Sequence, residues 1–199
     1  MKDVFSGMIA CYPVLSKSAD YVVDSLKHFA GNRKIGDLYT DNAADLVASG
    51  HRLRVRHETS LPGVPRNNSI IERCNQVILG GTTACLVQAG MPPCYWSYAA
   101  PAFCTNYNAR AIKHGDPSPW FLANGAEFPA SCIPFGAKVI YLPAPSTRRL
   151  AGEKWDPKAR IGVFAGYRMK SGWEWDKSYL AWDLTAFLHS DLRTCAVES

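Results

Sequence analysis

Two carboxylates stand where an α/β chain could put them to use. Asp41 ends IGDLYTD, residues 35–41, a run that reads as a short strand. Glu72 lies in SIIERC, the opening of the longest helical pattern in the chain. Side chains at strand ends and helix starts can meet at the rim of an α/β sheet. Two carboxylates brought together there repel, unless one is protonated or a cation lies between them. Mg²⁺ suits such a place, because one or two carboxylates, phosphate oxygens and retained waters complete its shell. The spacing gives Glu72 a second role. Ser69-x-x-Glu72 matches a capping box, in which the glutamate reaches back to the amide of the capping residue. On spacing alone both roles stand open.

The elements that must position this pair follow from local signals. Residues 4–14, VFSGMIACYPV, suggest a strand or a bent strand pair around Gly7, stopped by Pro13. Ser18 is an N-cap for a helix through Phe29, with Val22, Leu26 and Phe29 at helical spacing and Gly31 as its stop. Ala43 to Ser49 predicts a brief helix closed by Gly50. RLRVRH, residues 52–57, alternates, so a strand is expected with Arg52, Arg54 and Arg56 on its outer face. That row is either a solvated edge or a set of phosphate contacts. From Ser69 the helix should run to Gly90, with Ile70, Ile71, Val77, Ile78, Ala84 and Cys85 on its core side. Gly80 and Gly81 in its middle imply close packing or a weak point, since each costs roughly 1 kcal/mol against alanine. CYWSYAAPAFCTNYNAR suggests a second helix kinked at Pro101 and lying back on the first. The Pro- and Gly-rich stretch after His114 reads as an irregular connection, and AKVIYLP, RIGVFAGYR and SYLAWDL as short strands of a small β unit.

Composition sets the bounds. The chain has 199 residues, 47% hydrophobic and 20% charged, which is globular rather than disordered. No apolar run approaches the roughly 18 residues of a membrane helix. The N-terminal residues lack the apolar core of a secretion signal, so an intracellular location is expected by default. A net charge of +5 permits a polyanionic partner without requiring one. The seven cysteines form no C-x-x-C pair, so no zinc site of that spacing is expected and the thiols read as reduced and mostly buried. His57 with a cysteine could serve a thiol enzyme, but no spacing supports one.

Taken in order, LYTDNAADL, then HETSLPGVPRNNSIIERCNQVILGGTTACLVQAGMPPCYWSYAA, resembles the integrase core of Ty1/copia-type retrotransposons. MKDVFSGMIACYPVLSKSADYVVDSL is similar to the segment before it, and FGAKVIYLP with KWDPKARIGVFAGYR to the SH3-like domain after it. The resemblance implies an α/β chain in which residues 1–115 form an incomplete RNase H-like core, 116–131 a linker and 132–199 a small C-terminal all-β SH3-like barrel. It implies metal-dependent DNA strand transfer with Mg²⁺ or Mn²⁺ as cofactor, Asp41 as the second carboxylate of three and Glu72 as the third. Asn42, Asn67 and Asn68 would orient the site or DNA, and Arg73 and Gln76 would meet phosphate, with helix surface as the plainer role for the last two. Retroelement ends and target DNA are the implied partners, with a possible homo-oligomer, a nuclear location and no membrane.

The chain also departs from that pattern. The family's first carboxylate is expected upstream of the segment that the N-terminal residues resemble, and Asp3 matches a later aspartate that is not a ligand. Its strand would be central in the sheet, so its neighbours must close up, accept another chain or fold marginally. Asn68 replaces a glycine, DNAADL lacks the usual Gly and Glu, and the interval from Asp41 to Glu72 is short. The expectation is a chain that lacks strand-transfer activity alone. The alternative is a non-catalytic module derived from a retroelement polyprotein, binding nucleic acid or protein.

Overall fold

The computed structural model describes residues 1–60, 69–144 and 157–188, and shows a mixed helix and strand architecture. Its elements are α1 (Ala19–Ala30), β1 (Asp37–Thr40), α2 (Ala44–Leu53), β2 (Arg56–Thr59), α3 (Ser69–Ala89), a 3₁₀ turn (Pro93–Tyr95), α4 (Trp96–Asn108), α5 (Pro119–Asn124), β3 (Lys138–Tyr141), β4 (Arg160–Lys170), β5 (Glu174–Asp183) and α6 (Leu184–Leu188).

The N-terminal residues make a bent pair around Gly7, whose φ of 77° suits the turn. Lys2 bridges Ile9, and Asp3 N–H donates to Met8 O at 2.8 Å while Ala10 N–H donates to Met1 O at 3.0 Å. Helix α1 begins and ends where its caps predict, with the Ser18 hydroxyl accepting from Tyr21 N–H and Gly31 N–H donating to Lys27 O. Strands β1 and β2 pair in parallel, Asp37 opposite Arg56 and Thr40 opposite Thr59. Among the described residues β3, β4 and β5 form an antiparallel sheet in that order.

Helix α4 lies between α3 and β4. Ala99, Ala100 and Ala102 are buried on it, small enough to let both neighbours close in. One core cluster joins Met8, Ile9 and Ala10 to Cys74 and Ile78 of α3, Cys104 of α4, Trp120 and Trp173; a second gathers around Leu86, Tyr95, Ala99 and Phe135. The β4–β5 turn seats on the end of α1, where Gly172 N–H donates to His28 O at 2.6 Å and Trp173 Nε1–H donates to the Tyr12 hydroxyl at 2.8 Å.

Six expectations need correction. Residues 52–57 are not one strand: α2 runs on to Leu53, Arg54 takes a left-handed cap conformation with φ 53°, and only then does β2 begin. Leu46, Val47, Gly50 and Leu53 also fit helical spacing, so the alternation of RLRVRH competed with an equally good helix. Gly50 does not end α2 but is buried within it. The stretch after His114 contains α5, with Ser118 as N-cap, Pro119 at its first position and Gly125 as its left-handed stop. The last strand leads into a short helix, α6. On α3 the buried stripe is Cys74, Ile78, Thr82 and Leu86, and Ile70 and Ala84 face outward. Among the described residues five cysteines are free thiols and Cys94 is disulfide-bonded, which departs from a wholly reduced set.

Candidate metal and nucleic-acid site

Parallel pairing sends both strands of the first sheet toward the same rim. The ladder continues past the strand ends, with Ser60 N–H donating to Thr40 O at 2.9 Å. Asn42 closes the rim from above, its Nδ2 donating to Ser60 O at 2.7 Å. Asp41 stands between them, exposed, its Oδ1 accepting from Ala43 N–H at 3.0 Å as the chain turns into α2. That bond fixes one carboxylate oxygen and leaves the other free to take a ligand.

His57 ties the sheet to α2. Its Nε2 meets the Thr40 hydroxyl at 2.8 Å, and the hydroxyl also donates to Asp41 O at 2.7 Å. With that proton committed, the imidazole is the donor and carries its own proton on Nε2. The ring lies over Gly50, where any added Cβ would overlap it. His57 is thus a structural staple beneath Asp41.

Glu72 is exposed in the first turn of α3. One cavity of about 400 Å³ is lined by Asp45, four residues beyond Asp41 in the first turn of α2, and by Asn75, Ile78 and Leu79 of α3, while neither Asp41 nor Glu72 lines it. Asn75 and Leu79 follow Glu72 at three and seven residues, the spacing of one helical face. Neither Asp45 nor Asn75 was singled out from sequence, and their offsets from Asp41 and Glu72 were the available signal.

The three arginines expected in a row are dispersed. Arg52 is ion-paired with Asp20 of α1, Arg54 is the exposed cap of α2, and Arg56 is held between Asp37 at 3.4 Å and Glu58 at 2.8 Å. They are not the outer face of one strand, because only Arg56 belongs to β2. Arg73 and Gln76 are exposed on α3, and Arg73 has no ion-pair partner among the described residues. Asn67 and Asn68 lie outside the described residues.

Among the described residues no group of three or more His, Cys, Asp or Glu side chains is gathered so as to hold a metal ion. Asp41 and Glu72 each present exposed carboxylate oxygens, the hard donor type that Mg²⁺ or Mn²⁺ takes.

No protein-family model matches the chain. Similarity appears instead with the retrovirus-related Pol polyprotein of transposon TNT 1-94 from Nicotiana tabacum, 32% identical over 69 residues, or 35% of this chain. The corresponding polyprotein of transposon RE2 from Arabidopsis thaliana is 33% identical over 106 residues, or 49% of this chain. The chain is similar in sequence to part of the Pol polyproteins of copia-type retrotransposons. It spans only 5% and 7% of the length of those two polyproteins. A chain of the cryo-EM structure of the simian T-cell lymphotropic virus intasome in complex with PP2A regulatory subunit B56 gamma aligns with 92% of this chain and 68% of its own length. That alignment has TM-score 0.50 and 16% identity, a likeness of fold. Among the described residues no helix is long and apolar enough to cross a membrane.

Proposed function

We propose that this integrase-like chain carries part of a DNA strand-transfer site on an RNase H-like core, with Asp41 and Glu72 as its carboxylates. The observation that supports the reading is a cavity lined by Asp45 of α2 and Asn75 of α3, residues that follow Asp41 and Glu72 at four and three positions. Both carboxylates are exposed, and Arg73 and Gln76 stand beside Glu72 on α3. A Mg²⁺ or Mn²⁺ ion held by Asp41, Glu72 and phosphate oxygens would neutralise phosphodiester charge and acidify an attacking hydroxyl. The chain's own residues hold Asp41 in place through Ala43 N–H and the His57 staple, while Arg73 offers phosphate an uncommitted cation. The sheet of β3, β4 and β5 is read as the SH3-like unit that adds DNA contacts. Retroelement ends and target DNA as partners, a homo-oligomer and a nuclear location belong to the same proposal.

Titration with Mn²⁺ and a short DNA duplex should broaden the backbone NMR signals around Asp41 and Glu72 first, and D41N or E72Q should each abolish that. Broadening centred elsewhere overturns the assignment. The second reading, a module that binds nucleic acid or protein without chemistry, is favoured by the lack of a three-ligand group among the described residues. It predicts salt-dependent duplex binding with no metal-dependent nicking, whereas the strand-transfer reading predicts metal-dependent nicking that D41N and E72Q each abolish.

A further inference from the structure

A cavity of about 500 Å³ opens between the C-terminal halves of α3 and α4 and the segment that leads into β3. None of Asp41, Asp45, Glu72 and Asn75 lines it. Its volume lies in the range of about 300–1,000 Å³ usual for small-molecule sites.

One face of α4 supplies the main wall. Phe103, Asn106 and Tyr107 follow one another at helical spacing, and Arg110 continues the row just past the helix end. The Phe103 ring is seated over Gly81 of α3, and the Tyr107 ring is tilted against it with centroids 5.9 Å apart. Pro134 and Phe135 form a second wall, and Phe135 is buried. Asn106 ties this wall to α4: its Nδ2 donates to Ile133 O at 2.9 Å, and its Oδ1 accepts from the Tyr167 hydroxyl at 2.7 Å. The side chains that shape the cavity are thus held by contacts of their own.

Asn106 is committed to that tie, whereas two other polar side chains of the lining are not. The Gln88 amide of α3 and the Arg110 guanidinium are exposed and have no hydrogen-bond or ion-pair partner among the described residues. No acidic side chain lines the cavity, so its one fixed charge is positive. Cys85 adds a thiol that burial keeps neutral by pushing its pKa up. We propose that this cavity binds a small planar aromatic molecule that bears a carboxylate. The rings of Phe103, Tyr107 and Phe135 offer offset and edge-to-face contact to a flat ring. The guanidinium fork matches a carboxylate through two parallel hydrogen bonds, and Gln88 has an N–H to add. A cation would meet Arg110 with no acid to offset it, and an uncharged ring would leave the fork unused. None of the residues lining this cavity belongs to the metal and DNA site proposed above, so either assignment can fail alone.

The test titrates the full chain with 2-naphthoate and follows the backbone amide signals by NMR. Saturable binding at a single site is expected, with the largest shifts at Gln88, Phe103, Tyr107 and Arg110. The neutral 2-naphthamide should bind about tenfold more weakly, because it cannot pair with the guanidinium. The saturated decalin-2-carboxylate, which keeps the charge and loses the flat faces, should also bind about tenfold more weakly. Arg110→Gln should lower naphthoate affinity about tenfold and leave naphthamide affinity unchanged, with thermal unfolding as in the unaltered chain. Equal binding of acid and amide by the unaltered chain, shifts centred elsewhere, or no saturation would each overturn the proposal. Tighter binding of adenosine 5′-monophosphate than of naphthoate would also overturn it, in favour of a nucleotide site.

Discussion

Asn108 holds Ile9 by both of its backbone groups: Ile9 N–H donates to Oδ1 at 2.9 Å, and Nδ2 donates to Ile9 O at 2.8 Å. The asparagine is fully buried and Ile9 nearly so, and the amide side chain stands in for one residue of a neighbouring strand. Replacement by leucine keeps the volume and strands both groups away from water. Asn108→Leu should therefore lose about 2–5 kcal/mol in urea unfolding, each orphaned group contributing about 1–3 kcal/mol. Asn108→Asp keeps an acceptor for Ile9 N–H but not the donor for Ile9 O, and should also destabilise. A loss below about 1 kcal/mol for the leucine variant would show that this bond pair is not a main tie between the N-terminal segment and α4.

The adjacent glycines of α3 should respond to alanine with opposite signs. A Cβ at Gly80 meets nothing, whereas one at Gly81 overlaps the Phe103 ring of α4. Gly80→Ala should stabilise by about 1 kcal/mol through helix propensity. Gly81→Ala should destabilise by about 1–3 kcal/mol, the usual range for overpacking. Thermal unfolding of the two single variants checks this directly, and Gly81→Ala with Phe103→Leu should recover part of the loss.

What could be read in the sequence divides along local and distant causes. Ser18 and Gly31 bound α1 by bonds within a turn of themselves, and both were legible. So were the three C-terminal strands, each bounded by Pro or Gly. The Ser118–Pro119 start and Gly125 stop of α5 were equally local, but the surrounding density of Pro and Gly masked them. The pair Gly80–Gly81 showed that something was unusual, and only the position of Phe103 separates the two residues. Residues 52–57 satisfied two periods at once, and the His57 ring seated on Gly50 helped decide between them. The link from Asn108 to Ile9 spans 99 residues, and no local pattern announces it. At the candidate site Asp41 and Glu72 were legible as a carboxylate after a strand and one in the first turn of a helix, while Asp45 and Asn75 became visible only through the cavity they line.

Gly50 and His57 give a test of the platform under Asp41. Gly50→Ala gains helix propensity but pushes the imidazole off α2 and away from the Thr40 hydroxyl. The expected net effect is a loss of about 1–2 kcal/mol. His57→Ala alone loses the Thr40 bond. With both changes the clash is gone, so the double variant should be more stable than the sum of the two by at least about 1 kcal/mol. Additive losses would mean the ring moves aside without effect on the rim.

The last prediction concerns alkaline pH and the joint between α4 and the C-terminal sheet. The Tyr167 hydroxyl of β4 donates to Asn106 Oδ1 at 2.7 Å and accepts from Ile133 N–H at 2.8 Å. Burial pushes its pKa up to about 12, against a smaller lowering effect of the Ile133 N–H. An unfolded tyrosine ionises near pH 10, at about its ordinary value. Below that pH the hydroxyl is neutral in both states, and its contribution to stability is fully present. Between about pH 10 and 12 the unfolded chain loses the proton while the folded chain keeps it, so stability falls as pH rises. Tyr167→Phe removes this group from the balance. At neutral pH it should cost about 1–2 kcal/mol, since the half-buried Ile133 N–H loses its acceptor. Above pH 10 its unfolding free energy should fall less steeply than that of the unaltered chain, by roughly 2 kcal/mol over the interval. Parallel slopes in the two proteins, measured by urea unfolding at half-unit steps of pH, would place the alkaline sensitivity on other tyrosines, of which Tyr12 is likewise raised by burial.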